Sequence, residues 1–144
     1  AQEHFISNMV RQKLIAAIDN ATTKTNAKAK KVLMFLPETE LHELGMLFLN
    51  YILKNKGYRT IYLGQAVPLN DLPRILEISD PDILITSVSN SISLGDVTIF
   101  VNKLINVPAT KQVYVASTGI YESGANLPSH FKVFETLKQL ALEF

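Results

Sequence analysis

The chain has 144 residues, 47% of them apolar, with a formal net charge of +1 and no cysteine. That supports one domain with a buried core, and it excludes disulfide scaffolds, thiol nucleophiles and cysteine-held metals. The charge balance gives no electrostatic case for binding nucleic acid, and with no apolar run long enough to span a bilayer and no visible signal peptide, a cytoplasmic location away from membranes is expected.

The opening stretch "AQEHFISNMVRQKLIAAID" predicts a helix, with Ile6, Val10, Leu14 and Ile18 at every fourth position and Phe5, Met9 and Ala17 alongside. "NATTKTNAKAKK" is polar and reads as a linker, which places a boundary between residues 1–30 and 31–144. From Lys31 strands and helices alternate. "KVLMFL" predicts a strand, followed by a helix over "HELGMLFLNYILKNKG". The expected buried stripe of that helix is Leu44, Leu47, Phe48, Tyr51 and Ile52, with Gly57 as its stop. "YRTIYLG" predicts the second strand, and Pro73 sets the start of the next helix near Asn70 or Asp71. "PDILITSVS" reads as the third strand, "SLGDVTIFVNKLIN" as a helix and "KQVYVAS" as the fourth strand. "TGIYESGANLPS" reads as a loop, "FKVF" as a short fifth strand and "ETLKQLALEF" as a final helix. Strands apolar on both faces and separated by helices predict an α/β fold with a doubly wound, parallel, five-stranded sheet. Ligands of such sheets bind beyond the carboxyl ends of the strands, where strand order reverses.

"PETELHELG" follows the first strand directly, so it falls on that edge. Glu40 stands two positions before His42, and a carboxylate holding one ring nitrogen of an imidazole fixes the tautomer of a metal ligand. Gly45, in the first turns of a helix, costs about 1 kcal/mol relative to alanine. Either something bulky approaches there or the helix packs closely on a strand. His4, His42 and His130 are far apart and there is no H-E-x-x-H, so a zinc site is not expected. One imidazole does suffice as axial ligand to a metal already held by a macrocycle, a tetrapyrrole or a corrin.

"ETELHELG" resembles the D-x-H-x-x-G signature of cobalamin-binding domains, with Glu40 in place of aspartate, and the likeness runs from Lys31 to Phe144. The resemblance implies a flavodoxin-like (Rossmann-type) fold in which His42 ligates cobalt, Glu40 orients it and Gly45 makes room for the cofactor. It also implies a slot for the nucleotide tail. Ser87 and Ser89 in "SVS" stand where the family has S-x-L, so Ser89 replaces leucine. Ser117, Thr118 and Gly119 in "ASTG" stand where it has a Gly-Gly pair, so one glycine remains. The finer resemblance is to cobalamin-binding regulators of the MerR type, including light-sensing repressors, through "ELHELGMLFLNYILKNKGYRTIYLGQAVPLNDL". "QEHFISNMVRQKL" resembles the last helix of their helical bundle, where Glu3 and His4 would cap the upper face of the cofactor. On that resemblance residues 1–30 are the C-terminal helix of a bundle plus a linker, and residues 31–144 the cobalamin-binding domain. It implies cobalamin, in its adenosyl form, as cofactor and ligand, a homo-oligomer in a longer protein, DNA contacted through a segment outside this chain, and no turnover chemistry.

Plainer readings stand beside these. Glu3 and His4 fit the frayed start of a helix, and Ser87, Ser89, Asn90, Ser91 and Ser93 fit a strand-to-helix turn with a cap. His130 reads as an exposed loop residue. No G-x-S-x-G, G-x-G-x-x-G or phosphate loop occurs. Two competing functions remain open: a corrinoid carrier module of a methyltransferase or mutase, and a degenerate flavodoxin-like interaction domain without cofactor.

Overall fold

The computed structural model describes residues 2–21, 28–38, 40, 42–89 and 94–144. Five strands, β1 (Lys31–Phe35), β2 (Arg59–Tyr62), β3 (Ile83–Ser87), β4 (Gln112–Ala116) and β5 (Phe131–Phe134), form one parallel sheet in the order β2-β1-β3-β4-β5. The register pairs Leu33 with Ile61 on one side and with Leu84 on the other. The order reverses at β1, so the switch point lies between β1 and β3. Helices α2 (Leu44–Asn55), α3 (Leu72–Ser79), α4 (Leu94–Leu104), α5 (Thr118–Ser123) and α6 (Leu137–Ala141) follow the strands in turn, and α1 (Gln2–Asn20) precedes them.

The side-chain period of two divides the core into two layers. Leu33 and Phe35 pack with Leu72, Phe100, Leu104 and Ile120, on the face covered by α3, α4 and α5. Val32, Met34 and Leu36 pack with Met46, Leu49, Leu53 and Leu140, on the face covered by α2 and α6. Residues 32 to 36 are all fully buried, which is why the first strand reads as an unbroken apolar run. Burying each such side chain contributes about 1.5–3 kcal/mol. The α2 helix stops at Gly57, whose φ of +92° lies in the left-handed region that favours glycine.

Four sequence expectations are corrected. The buried face of α2 is Met46, Leu47, Leu49, Asn50 and Leu53, while Phe48 is exposed. Its sequence is apolar nearly all round, so periodicity alone does not select a face. The stretch 118–129 is not all loop, because Ser117 caps α5 by accepting a hydrogen bond from the Ile120 N–H. The last helix is shorter than expected, beginning after its own cap at Thr136. On α1 only Ile18 of the expected stripe is fully buried; Phe5, Ile6, Met9 and Val10 are exposed.

The reason for the last correction is placement. Arg11 reaches Glu43 at the start of α2. Ile15, Ile18 and Asp19 line the same cleft as Leu47, Asn50 and Lys54. The two helices therefore run side by side in one direction. The residues before Arg11 extend past the start of α2, beyond the carboxyl edge of the sheet, by about 13 Å at 1.5 Å per residue. Among the described residues no helix is long and apolar enough to cross a membrane.

Candidate functional site

Beyond the ends of β1 and β3, at the switch point, the turn between β1 and α2 carries an exposed imidazole flanked by two buried carboxylates. Glu40 and Glu43 are 2% and 6% exposed, whereas the His42 side chain is 84% exposed. Such carboxylates persist only when hydrogen-bonded. Glu40 Oε1 accepts from the His42 backbone N–H at 2.9 Å and meets His42 Nδ1 at 2.9 Å. Its other oxygen accepts from the Ser89 N–H, just past the end of β3. Burial works to raise the Glu40 pKa, but the backbone N–H groups of His42 and Ser89, the Ser89 side chain and the imidazole together hold it below the ordinary carboxylate value. An ionised carboxylate against Nδ1 places the proton on that nitrogen and leaves the Nε2 lone pair as the free acceptor.

Glu43 is held from elsewhere. Tyr62 Oη, at the end of β2, donates to Oε1 at 2.8 Å, and Arg11 Nε, on α1, donates to Oε2 at 2.9 Å. Burial and the hydrogen bond to Glu43 push the Tyr62 phenol well above its ordinary value, so it stays a neutral donor. The Glu43 bond and charge raise the Arg11 pKa further above its already basic value. Sequence reasoning gave Glu43 no role. The glutamate next to the histidine was visible, but its partners lie 19 and 32 positions away.

Ser87, Ser89 and Thr118 line one cleft of about 290 Å³ at the same edge, together with Ser117, Thr136 and Leu137. Ser117 is committed to capping α5, and the Thr118 hydroxyl donates to the Glu135 carbonyl at 3.2 Å. Gly119 is next to this cleft, and a Cβ there would meet nothing nearer than Ser117 Oγ at 4.0 Å. Gly45 lies on the far side of Leu137: a Cβ on it would stand 3.0 Å from Leu137 Cδ1. The glycine thus serves close helix packing in this structure. It also opens onto an apolar groove of about 450 Å³ that Leu137 separates from the hydroxyl-lined cleft. Glu3 and His4 are exposed on the first turn of α1. His4 precedes Arg11 by seven residues, so it shares that helix face about 10 Å further out. His130 is half-buried rather than exposed, its Nε2–H donating to the Val107 carbonyl at 3.1 Å. Asn90, Ser91 and Ser93 lie outside the described residues. A larger apolar groove of about 460 Å³ between α3 and α4 holds none of these groups.

The donor set fits a corrin better than a bare ion. Among the described residues no three histidines and carboxylates converge to hold a metal. His42 offers one nitrogen, held in one tautomer and open to the outside, which is what a metal with its other positions already filled requires. The hydroxyls of the cleft beneath suit a polar tail.

Fold and site define the chain as an α/β domain of the flavodoxin-like type found in corrinoid-binding proteins. Its backbone matches a cobalamin-binding protein from Desulfitobacterium hafniense DCB-2, with a TM-score of 0.61 over 81% of this chain and 58% of that one, at 16% identity. It also matches the monomethylamine corrinoid protein of Methanosarcina barkeri, with a TM-score of 0.63 over 96% of this chain and 65% of that one, at 16% identity. In sequence the chain is similar to the HTH-type transcriptional repressor CarH of Myxococcus xanthus, 34% identical over 137 residues. That alignment takes in 95% of this chain and 43% of the repressor, so the chain spans under half the length of its curated relative. No family model matches.

Proposed function

We propose that the chain is the cobalamin-binding sensory domain of a MerR-type transcriptional regulator, with His42 Nε2 as the axial ligand to cobalt. One observation carries this: a solvent-facing imidazole whose Nδ1 is fixed by a buried carboxylate, at the switch point of a flavodoxin-type sheet. Glu40 holds the tautomer and the ring direction. The cleft lined by Ser87, Ser89, Ser117, Thr118 and Thr136 receives the nucleotide tail. The overhang of α1, with Glu3 and His4, stands beyond the same edge, where these residues would cover a bound cofactor. Adenosylcobalamin supplies a cobalt–carbon bond that light can cleave. The protein supplies the ligand, the slot and an interface whose two arrangements the cofactor biases, so the domain changes the association of protomers and performs no turnover. DNA is contacted by a segment outside this chain.

The regulator reading is favoured over a corrinoid carrier by sequence. The chain is 34% identical to the repressor but 16% identical to the methylamine corrinoid protein. Mixed with adenosylcobalamin in the dark and desalted, the chain should keep the colour, and His42→Ala should lose it. A colourless wild-type chain would overturn the reading. Illumination should then change the sedimentation coefficient of the coloured complex; retained colour with no change in light would leave a cobalamin-binding domain and remove light sensing.

A further inference from the structure

We infer that Glu43 is a second positioning residue for the His42 turn, and that its bond to Arg11 makes the docking of α1 and the placement of the imidazole one coupled event. This rests on the reading of His42 as the cobalt ligand. Glu43 is the residue after His42 and the cap position of α2, where its carbonyl accepts from the Leu47 N–H at 3.0 Å. It is therefore the pivot between the turn and the helix. Its buried carboxylate is shared between β2, through Tyr62, and α1, through Arg11. Glu40 is fixed to the end of β3 through Ser89. The turn is thus clamped from three elements, and Arg11 alone of these partners belongs to a helix outside the sheet-and-crossover unit.

That helix is docked through its second half alone. Its residues 2–13 are exposed, and Ile18 is its buried residue. Between α1 and α2 lies a cleft of about 420 Å³, not a close-packed seam. Asn50 Oδ1 and Thr60 Oγ1, both buried and without a hydrogen-bond partner, belong to residues lining it. An interface of that kind gives little orientation through packing, so a directed guanidinium–carboxylate bond sets where α1 sits along α2. Withdrawing α1 strips Glu43 of its cationic partner and leaves its carboxylate held by one phenol, beside the ligand residue. By reciprocity, whatever fixes the His42 turn from outside strengthens α1 docking by the same factor.

The test uses Arg11→Ala, Arg11→Lys and Tyr62→Phe, with His42→Ala as the control for the ligand itself. Arg11 is half-exposed, so its loss leaves the core intact. Hydrogen exchange of the cofactor-free chain should become faster both in α1 and at residues 42–47 in Arg11→Ala, with partial recovery in Arg11→Lys. Affinity for adenosylcobalamin should fall about 5- to 150-fold in Arg11→Ala, the range of ordinary coupling between sites. In the wild type, cofactor binding should slow exchange in α1, and in Arg11→Ala that slowing should vanish. Tyr62→Phe should quicken exchange at 42–47 and, through the same coupling, quicken it in α1 as well, though less than Arg11→Ala does. Unchanged exchange at 42–47 in Arg11→Ala would overturn the coupling. If His42→Ala binds the cofactor as the wild type does, the ligand reading fails, and the clamp is still judged by exchange in the cofactor-free chain.

Discussion

Glu40→Gln isolates the group that makes His42 a defined ligand. The amide keeps the volume of the carboxylate but brings an NH2 end into a site where every neighbour donates: the His42 N–H, the Nδ1–H and the Ser89 N–H. Hydrogen bonds to a charged group contribute about 1.5–3 kcal/mol net, and leaving a buried donor unmatched costs about 1–3 kcal/mol. The exposed His42 groups can turn to water, so the cost falls mainly on the Ser89 side, and a stability loss of about 2–4 kcal/mol is expected in urea denaturation at neutral pH. Losing the partner that orients a metal-ligating histidine weakens metal binding about 10- to 100-fold, so cobalamin affinity should drop by that factor in an absorption titration. The pH dependence has a definite sign. The folded Glu40 pKa lies below the ordinary value of 4.5, so its contribution is present above that value and fades as pH falls through the lower folded value. The stability gap between wild type and variant should therefore close only in acid. A glutamine variant equal to the wild type in both stability and cobalamin affinity would refute the reasoning.

Further substitutions test the packing and the hydrogen bonds. Leu53→Ala, at a fully buried position, should cost about 2–5 kcal/mol, whereas Phe48→Ala, on the exposed face of α2, should cost less than about 1 kcal/mol in the same denaturation assay. Tyr62→Phe should change the alkaline arm of the stability profile. The Tyr62 pKa is raised above its ordinary 10.0, so its contribution is present below that value and is lost as pH rises past it; the variant should lack that loss. At Gly45, alanine gains about 1 kcal/mol of helix propensity against a small displacement of Leu137, so Gly45→Ala should leave the melting temperature nearly unchanged. Gly45→Phe should block cobalamin uptake while circular dichroism shows an intact fold; equal affinity would mean that the glycine serves packing alone.

The sheet was legible because its strands are buried on both faces. Residues 32–36 and 83–85 leave no alternative to central parallel strands. The edge that carries His42 followed from the alternation of elements, and Glu40 from its two-residue spacing, which the hydrogen bonds reproduce. What depended on tertiary placement was not legible. Nothing local marks Phe48 as exposed in a helix apolar on most sides, or Phe5 and Ile6 as an overhang, because both depend on where α1 lies against α2. The bond from Arg11 to Glu43 was hidden for the same reason: two ordinary charges become a clamp only when helices far apart in sequence are set side by side. The helix at Thr118 was masked by its length, too short to show a period, although Ser117 carries the cap signature.

The most direct test is electron paramagnetic resonance of the chain loaded with cobalamin and reduced to cobalt(II), with and without 15N-histidine labelling. A single axial nitrogen splits the cobalt lines into triplets when it is 14N, and the account predicts that they collapse to doublets when histidine alone carries 15N. Triplets that persist in the labelled protein would place the cofactor's own base on cobalt and remove His42 from the metal.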